Sequence, residues 1–210
     1  MEPIPRIFSV HIPKDASFWR KLFAFSGHIE KPQVVELPMG LPFKDVLQEI
    51  CGGVWKGRKL KAVIPGGSSS KILTAQKALE TCLDFESCAG AGSMLGTASV
   101  IILDETQCIV EALENVAHFY GHESCGQCTP CREGVGWMHK IIARIEAGQG
   151  RPEDLDLLLD IQGNIQGNTI CAFGDAAAWP VESYIKTFRP EFEAHISEKK
   201  CPFGNSAHSH

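Results

Sequence analysis

The chain has 210 residues, 44% of them hydrophobic and 21% charged. That supplies a buried core for one sizeable domain or two small ones and argues against wholesale disorder. A formal net charge of −5 argues against a nucleic-acid binder, which needs a concentrated basic face, and the longest apolar runs, such as Ala98–Leu103, fall far short of a membrane span. The start, Met1-Glu-Pro-Ile-Pro-Arg6, shows no charged-then-apolar export signal, so a soluble intracellular chain is expected.

Residues 1–20 carry three prolines and no sustained period, which predicts an irregular lead-in. From Lys21 the pattern is strand-like. Lys21–Ser26 and Gln33–Leu37, separated by a Gly- and Pro-bearing turn, predict a hairpin. Pro42 opens a stretch with Phe43, Val46, Leu47 and Ile50 at helical spacing, stopped by Gly52-Gly53. Leu60–Ile64 and Ser99–Leu103 read as further strands. Residues 21–104 are therefore expected to form a small α+β module.

After Asp104 the period becomes helical. Ile109, Leu113, Val116, Ala117 and Tyr120 mark one face, and Val135, Met138, Ile141, Ile142 and Ile145 a second, ending at Gly148. Pro152 starts a third helix, with Leu155, Leu158, Leu159, Gln162 and Ile165 inward and Gly167 at its end. Asp175 is the expected N-cap of a fourth, Ala176 to Phe188, stopped by Pro190, with Pro180 either marking a later start or a kink. Residues 105–196 thus predict a small helical bundle, and 197–210 a loose polar tail.

Nine cysteines, at 51, 82, 88, 108, 125, 128, 131, 171 and 201, are an odd number in a chain without an export signal. Metal ligation or buried thiols suit that better than a disulfide framework. Three of them fall in His122-Glu-Ser-Cys125-Gly-Gln-Cys128-Thr-Pro-Cys131-Arg-Glu-Gly134, between the first two helices. Two C-x2-C steps on tight turns place three sulfurs at corners of one centre, as in the short ligand runs that hold [4Fe-4S] cubanes. A cubane needs a fourth ligand. Cys171, on the Gly167-Asn-Thr-Ile-Cys-Ala-Phe-Gly174 loop and 39 residues beyond Cys131, is the candidate, because the second and third helices form an out-and-back hairpin. Pro130 suits the first position of the second helix, which puts Cys131 at that helix's positive end, with Arg132 adding charge. Structural zinc is the rival, although zinc sites more often pair two separated C-x2-C units. A thioredoxin-like dithiol explains one pair but not the third cysteine.

These residues carry a resemblance. His122–Gly134, Asn168-Thr-Ile-Cys-Ala-Phe-Gly-Asp-Ala-Ala-Ala-Trp-Pro180 and Phe188-Arg-Pro190 resemble the family of flavoprotein subunits of respiratory NADH:quinone oxidoreductase, complex I, as do Lys21–His28 and Ala62–Ser69. Related subunits occur in NAD-linked hydrogenases and formate dehydrogenases. The resemblance implies an α+β fold in which a β-grasp-like, soluble-ligand-binding module precedes a four-helix iron–sulfur bundle. By motif match Cys125, Cys128, Cys131 and Cys171 would hold one [4Fe-4S] cluster, taking single electrons from FMN that NADH has reduced. The implied partners are the small [2Fe-2S] flavoprotein subunit and the large iron–sulfur subunit. The implied place is cytoplasmic and peripheral to the inner membrane, or the mitochondrial matrix in a eukaryote, with no direct membrane insertion. The family's glycine-rich FMN- and NADH-binding domain has no counterpart in this sequence, so no FMN- or NADH-binding residue is expected here, and the chain alone is expected to be inactive toward NADH. Phe173 stands where the family usually has leucine.

Other features have plainer readings. Gly66-Gly67-Ser-Ser-Ser lacks the terminal Gly-Lys of a phosphate loop, and Gly90-Ala-Gly92-Ser-Met-Leu-Gly96 misplaces a glycine of the dinucleotide fingerprint. Both are expected to be turns. Trp55-Lys-Gly-Arg-Lys-Leu-Lys61, the local basic cluster, is expected to be a solvated loop rather than a docking face, and His122 structural rather than a ligand. No catalytic side chain is identified. A non-catalytic interaction domain, holding zinc or no metal, stays open as the alternative function.

Overall fold

The computed structural model describes residues 19–204, so nearly all of the expected lead-in and the last residues of the expected tail lie outside the described residues. It is a mixed α+β structure with a five-stranded sheet and seven α-helices among the described residues. None of those helices is long and apolar enough to cross a membrane.

The hairpin forms as expected, from β1 (Arg20–Gly27) and β2 (Gln33–Pro38), paired antiparallel. Alternation places Phe23 and Phe25 in the core while Leu22 stays exposed. The stretch after Pro42 begins as one α-helical turn, α1 (Phe43–Asp45), and widens into a π-helical turn over Val46–Ile50. The Cys51 amide donates to the Val46 carbonyl at 3.1 Å, and the wider turn seats Cys51 wholly inside the core. Next come β3 (Leu60–Ile64), β4 (Leu73–Thr74), α2 (Ala75–Leu79), α3 (Phe85–Gly90) and β5 (Ser99–Asp104).

The strand order is β2-β1-β5-β3-β4, with β1 parallel to β5 and every other pair antiparallel. Sequence periodicity missed β4, α2 and α3 because two turns or two residues are too short to repeat a period. Their starts are nevertheless capped. Thr74 accepts the Lys77 amide at 3.4 Å, and Asp84 accepts the Ser87 amide at 2.6 Å.

Four longer helices follow: α4 (Ile109–Glu123), α5 (Thr129–Glu146), α6 (Asp154–Ile165) and α7 (Phe173–Glu198). The first three lie where the apolar spacing predicts. The fourth needs two corrections. Ala172, not Asp175, is its N-cap, and it does not stop at Pro190. Phe188 leaves the helical region at φ −125°, and that bend accommodates the proline ring and its missing amide. Buried Phe192 and His195 then hold the continuation against the core. The expected loose tail also starts too early, because α7 runs to Glu198 and Cys201 is buried.

The two halves read from the sequence share a core. On β3, Val63 faces the first cluster of buried side chains, while Ala62 and Ile64 face the helices. On β5, Val100 and Ile102 face the first, and Leu103 faces the second. Strands buried on both faces read as continuous apolar runs, as these do. Polar bonds cross the same seam: Lys71 pairs with Glu182 and Lys61 with Glu191, both at 2.8 Å, and the Ile72 amide donates to Ser183 Oγ at 3.3 Å.

The basic cluster is a largely solvated loop, as expected, with Trp55, Lys56 and Lys59 exposed and its other charges tied down. Lys56 Nζ lies 4.0 Å from the centre of the Trp55 ring, and Arg58 Nη1 reaches the buried carboxylate of Asp104 at 3.1 Å. Thr106 donates to Asp104 from its amide at 2.9 Å and its hydroxyl at 2.6 Å, and His28 Nδ1 stands 3.2 Å away. Burial by itself raises the Asp104 carboxyl, but the hydrogen bonds from Thr106 and Arg58, with the nearby His28 adding attraction, outweigh it and hold the group below its ordinary range. A carboxylate with a depressed native pKa contributes stability that is complete above the unfolded value and lost as pH falls through the native one. Asp104→Asn should therefore lower the urea midpoint at pH 7, and the gap to the unsubstituted chain should close as pH falls below about 4. A gap independent of pH between 7 and 3 would contradict this.

The glycine-rich stretches are turns, as expected. A Cβ on Gly66 would meet the Met94 carbonyl oxygen, and one on Gly96 the Gly66 carbonyl oxygen, so two backbones approach too closely for any side chain. The Gly66 and Gly67 amides are taken internally, by Ser70 Oγ at 3.0 Å and the Ser99 carbonyl at 2.9 Å.

Candidate metal centre

The chain leaves α4 at Ser124, turns through Cys125 and Gly126, and enters α5 with Cys128 as N-cap. Gly126 takes φ +74°, a left-handed conformation that reverses the chain between the first two cysteines. Pro130 lies in the first turn of α5, as its fixed φ suits. Cys131 is therefore at the amide-rich, positive end of an 18-residue helix, where an anionic centre is stabilised by about 0.3–1 kcal/mol per charge. Burial is graded across the corner: Cys131 is buried, Cys128 half-buried and Cys125 exposed.

Four bonds set this corner. Ser124 Oγ stands 3.3 Å from Cys131 Sγ and accepts the Gly126 amide at 3.4 Å. Arg132 Nη1 donates to the Gly126 carbonyl at 3.3 Å while its Nε pairs with Glu133 at 3.0 Å. The positive side chain expected beside the cysteines is thus clamped onto their turn. His122 is 79% exposed and paired with Glu123 at 2.9 Å, so it is not at the sulfurs.

The loop that carries Cys171 comes back to the cysteine corner. α5 and α6 pack so closely that a Cβ on Gly134 would lie 2.8 Å from Ile165 Cδ1. After Ile165 the loop doubles back, and the Ile170 amide donates to Cys128 Sγ at 3.3 Å. The residue next to Cys171 thus touches a sulfur of the trio across 42 positions of sequence. Asp175, read from the sequence as a helix cap, instead accepts the Gly167 amide at 2.7 Å. Thr169 Oγ1 donates to the Cys171 carbonyl at 2.9 Å. These two bonds pin both ends of the loop. The sequence names neither Ser124, Asp175 nor the Ile170 amide in these roles. A Ser directly before the first cysteine was the available signal for the first.

The donor set fits a [4Fe-4S] cluster. It offers four cysteines, three from one corner and one from a returning loop, with an amide already donating to one sulfur and a helix N-terminus behind another. Cys51, Cys82 and Cys88 lie in the first module, apart from this corner. Burial pushes the Cys51 thiol up to about 12 and, chiefly through burial, the Cys88 thiol up to about 11, as expected of inert fillers.

Known proteins match both parts of the chain. Residues 21–102 match the SLBB domain family, and residues 111–195 match the NADH-ubiquinone oxidoreductase-F iron-sulfur binding region. The second NADH-quinone oxidoreductase F subunit of Rhizobium meliloti is 47% identical over 192 residues, which is 91% of this chain and 45% of that protein. The corresponding F subunit of Mycobacterium tuberculosis is 49% identical over 182 residues, 87% of this chain and 40% of the relative. The mitochondrial NADH-ubiquinone oxidoreductase 51 kDa subunit of Neurospora crassa is 46% identical over 177 residues, 84% of this chain and 36% of the relative. The chain thus spans less than half the length of these curated relatives. Among solved structures, the NAD+-reducing [NiFe]-hydrogenase in its H2-reduced state aligns with a TM-score of 0.75 and 31% identity, over 84% of this chain and 29% of that one. With both modules matched in sequence and the iron–sulfur region aligned over the cysteine corner, the chain is similar to NADH-quinone oxidoreductase F subunits over less than half of their length.

Proposed function

We propose that this chain carries the iron–sulfur relay of an NADH-oxidising flavoprotein subunit, with Cys125, Cys128, Cys131 and Cys171 holding one [4Fe-4S] cluster. On this reading residues 21–104 are a β-grasp-like module and 105–196 a four-helix iron–sulfur bundle. The observation that carries it is the bond from the Ile170 amide to Cys128 Sγ, which ties the returning loop to the cysteine corner within the matched region. When bound, the cluster supplies one-electron exchange between reduced FMN and the next carrier.

The chain's own residues do the rest. Four thiolates hold the iron. The Ile170 amide and the first turn of α5 offset their negative charge, and Ser124 orients Cys131. Cys125, Cys171 and the 85%-exposed Ile170 keep one side of the centre at the surface, where a partner carrier approaches. FMN and NADH are supplied by a part of the protein other than these two modules. The partners on this reading are the small [2Fe-2S] flavoprotein subunit and the large iron–sulfur subunit, in a peripheral arm on the cytoplasmic or matrix side. A place in an NAD-linked hydrogenase is the second reading, favoured by the hydrogenase likeness, but 45–49% identity to quinone reductase subunits outweighs 31% to the hydrogenase.

Anaerobic purification followed by iron and acid-labile sulfide analysis tests the proposal. About four of each per chain, with a reduced-state EPR signal at low temperature, is the expected result. Stoichiometric zinc bound at these four cysteines, or a colourless chain after anaerobic reconstitution, would overturn it in favour of an interaction domain.

A further inference from the structure

At the other end of the helices, four side chains with metal-binding atoms converge. Cys108 is the N-cap of α4, Glu146 closes α5, His195 lies near the end of α7, and Cys201 follows it. Their ligand atoms all lie within 4.8 Å of one another. Cys108 Sγ is 3.3 Å from His195 Nε2 and 3.7 Å from a Glu146 carboxylate oxygen, which is itself 3.3 Å from Nε2. A Zn2+ ion bound tetrahedrally at its usual 2.0–2.3 Å would set its ligand atoms about 3.3–3.8 Å apart. The three edges among Cys108, Glu146 and His195 are already of that length.

The surroundings prepare the same atoms. His195 Nδ1 faces the Glu191 carbonyl at 2.8 Å, and a carbonyl only accepts. Nδ1 therefore donates there, and Nε2 is the ring nitrogen that faces the other three groups and that a metal would take. The Glu111 amide donates to Cys108 Sγ at 3.3 Å from the N-terminal turn of α4, while burial and, after it, the Glu146 charge push that thiol well up, so the metal-free group holds its proton. His195 is wholly buried, Cys108 and Cys201 nearly so, and water has little access to the group.

We propose that Cys108, Glu146, His195 and Cys201 form a structural zinc site that clamps the ends of α4, α5 and α7 and the segment after α7. Two sulfurs, one imidazole nitrogen and one carboxylate suit a borderline-soft divalent ion, whereas calcium and magnesium take all-oxygen shells. Binding forms two Zn–S bonds, one Zn–N and one Zn–O bond, and releases to solvent the two thiol protons and, from the charged imidazole, the Nε2 proton; no electrons are exchanged. The site is separate from the cysteine corner, since the 18 residues of α5 place Glu146 about 25 Å along the helix from the corner's end.

The test uses the full 210-residue chain carrying Cys125→Ser, Cys128→Ser and Cys131→Ser together, so that no cluster competes for metal. After chelator treatment and anaerobic titration with zinc alone, about one zinc per chain should survive dialysis. Adding Cys108→Ser or Cys201→Ser should lower retained zinc at least tenfold, whereas His195→Cys, which keeps four donors, should hold it. Cobalt in place of zinc should give thiolate-to-metal absorption in the triple variant, and this readout stands even if Cys201→Ser does not fold. Zinc retention unchanged by Cys108→Ser and Cys201→Ser, no cobalt–thiolate absorption in the triple variant, or a Cys108–Cys201 disulfide in anaerobically purified chain would each overturn the proposal.

Discussion

Cys171→Ser should lower the iron content from about four per chain to below about one, with matching loss of labile sulfide, visible absorption and the reduced-state EPR signal. The expectation follows from the returning loop. Cys171 is exposed and helps little to bury the core, so its replacement should leave the far-UV spectrum unchanged while removing one of four ligands. Cys131→Ser should remove the iron as completely, with some loss of stability because that sulfur is buried against Ser124. Cys82→Ser, in the first module, is the control and should keep full iron. Iron unchanged in Cys171→Ser would show that the fourth ligand comes from elsewhere and would break the link between the loop and the centre.

Arg144→Met should cost about 3–5 kcal/mol of stability, the largest effect expected away from the cysteines. Asp154 is wholly buried at the turn from α5 to α6. It accepts two bonds from the Arg144 guanidinium, the Nε one at 3.2 Å, and the Arg151 amide at 2.8 Å. Methionine fills similar space but leaves a buried carboxylate without its main counter-charge, and burying an uncompensated charge costs more than the pair contributes. The Arg151 guanidinium, 3.8 Å away and 57% exposed, offsets little of this. Chemical denaturation of both proteins measures the difference. The double replacement Arg144→Met with Asp154→Leu should recover much of the loss, and a single replacement costing under about 1 kcal/mol would show the pair to be no clasp. The same turn closes the hairpin that returns the chain to Cys171, so iron content should also fall in Arg144→Met as temperature rises.

The cysteine corner was legible because its information is local. Three sulfurs within seven residues, with a glycine and a proline at the turns, state their chemistry without the rest of the chain. The return of the loop that carries Cys171 was legible only through the helix count, since an even number of antiparallel passes must bring it back. The β1–β2 hairpin and the strands β3 and β5 were legible from alternation and apolar runs, and α4 to α6 from the 3.6-residue period. The passage of α7 through Pro190 was not, because a proline reads as a stop unless buried side chains beyond it, here Phe192 and His195, hold a bent helix together. Asp175 shows a similar limit. Its position beside a helix start fits a cap, and only the fold places the Gly167 amide in front of it.

The sequence alone determined an α+β chain with a tight cysteine corner between two helices, because periodicity and residue spacing are properties of neighbouring residues. Only the tertiary structure decided that the sheet and the helices share one core. Only it decided that Ile170 reaches Cys128, and that Cys108, Glu146, His195 and Cys201 meet at one point. Those four come from the ends of three helices and the segment beyond the last. Nothing in their spacing foretells a meeting that depends on helix lengths, on the bend at Phe188 and on which faces the core draws together.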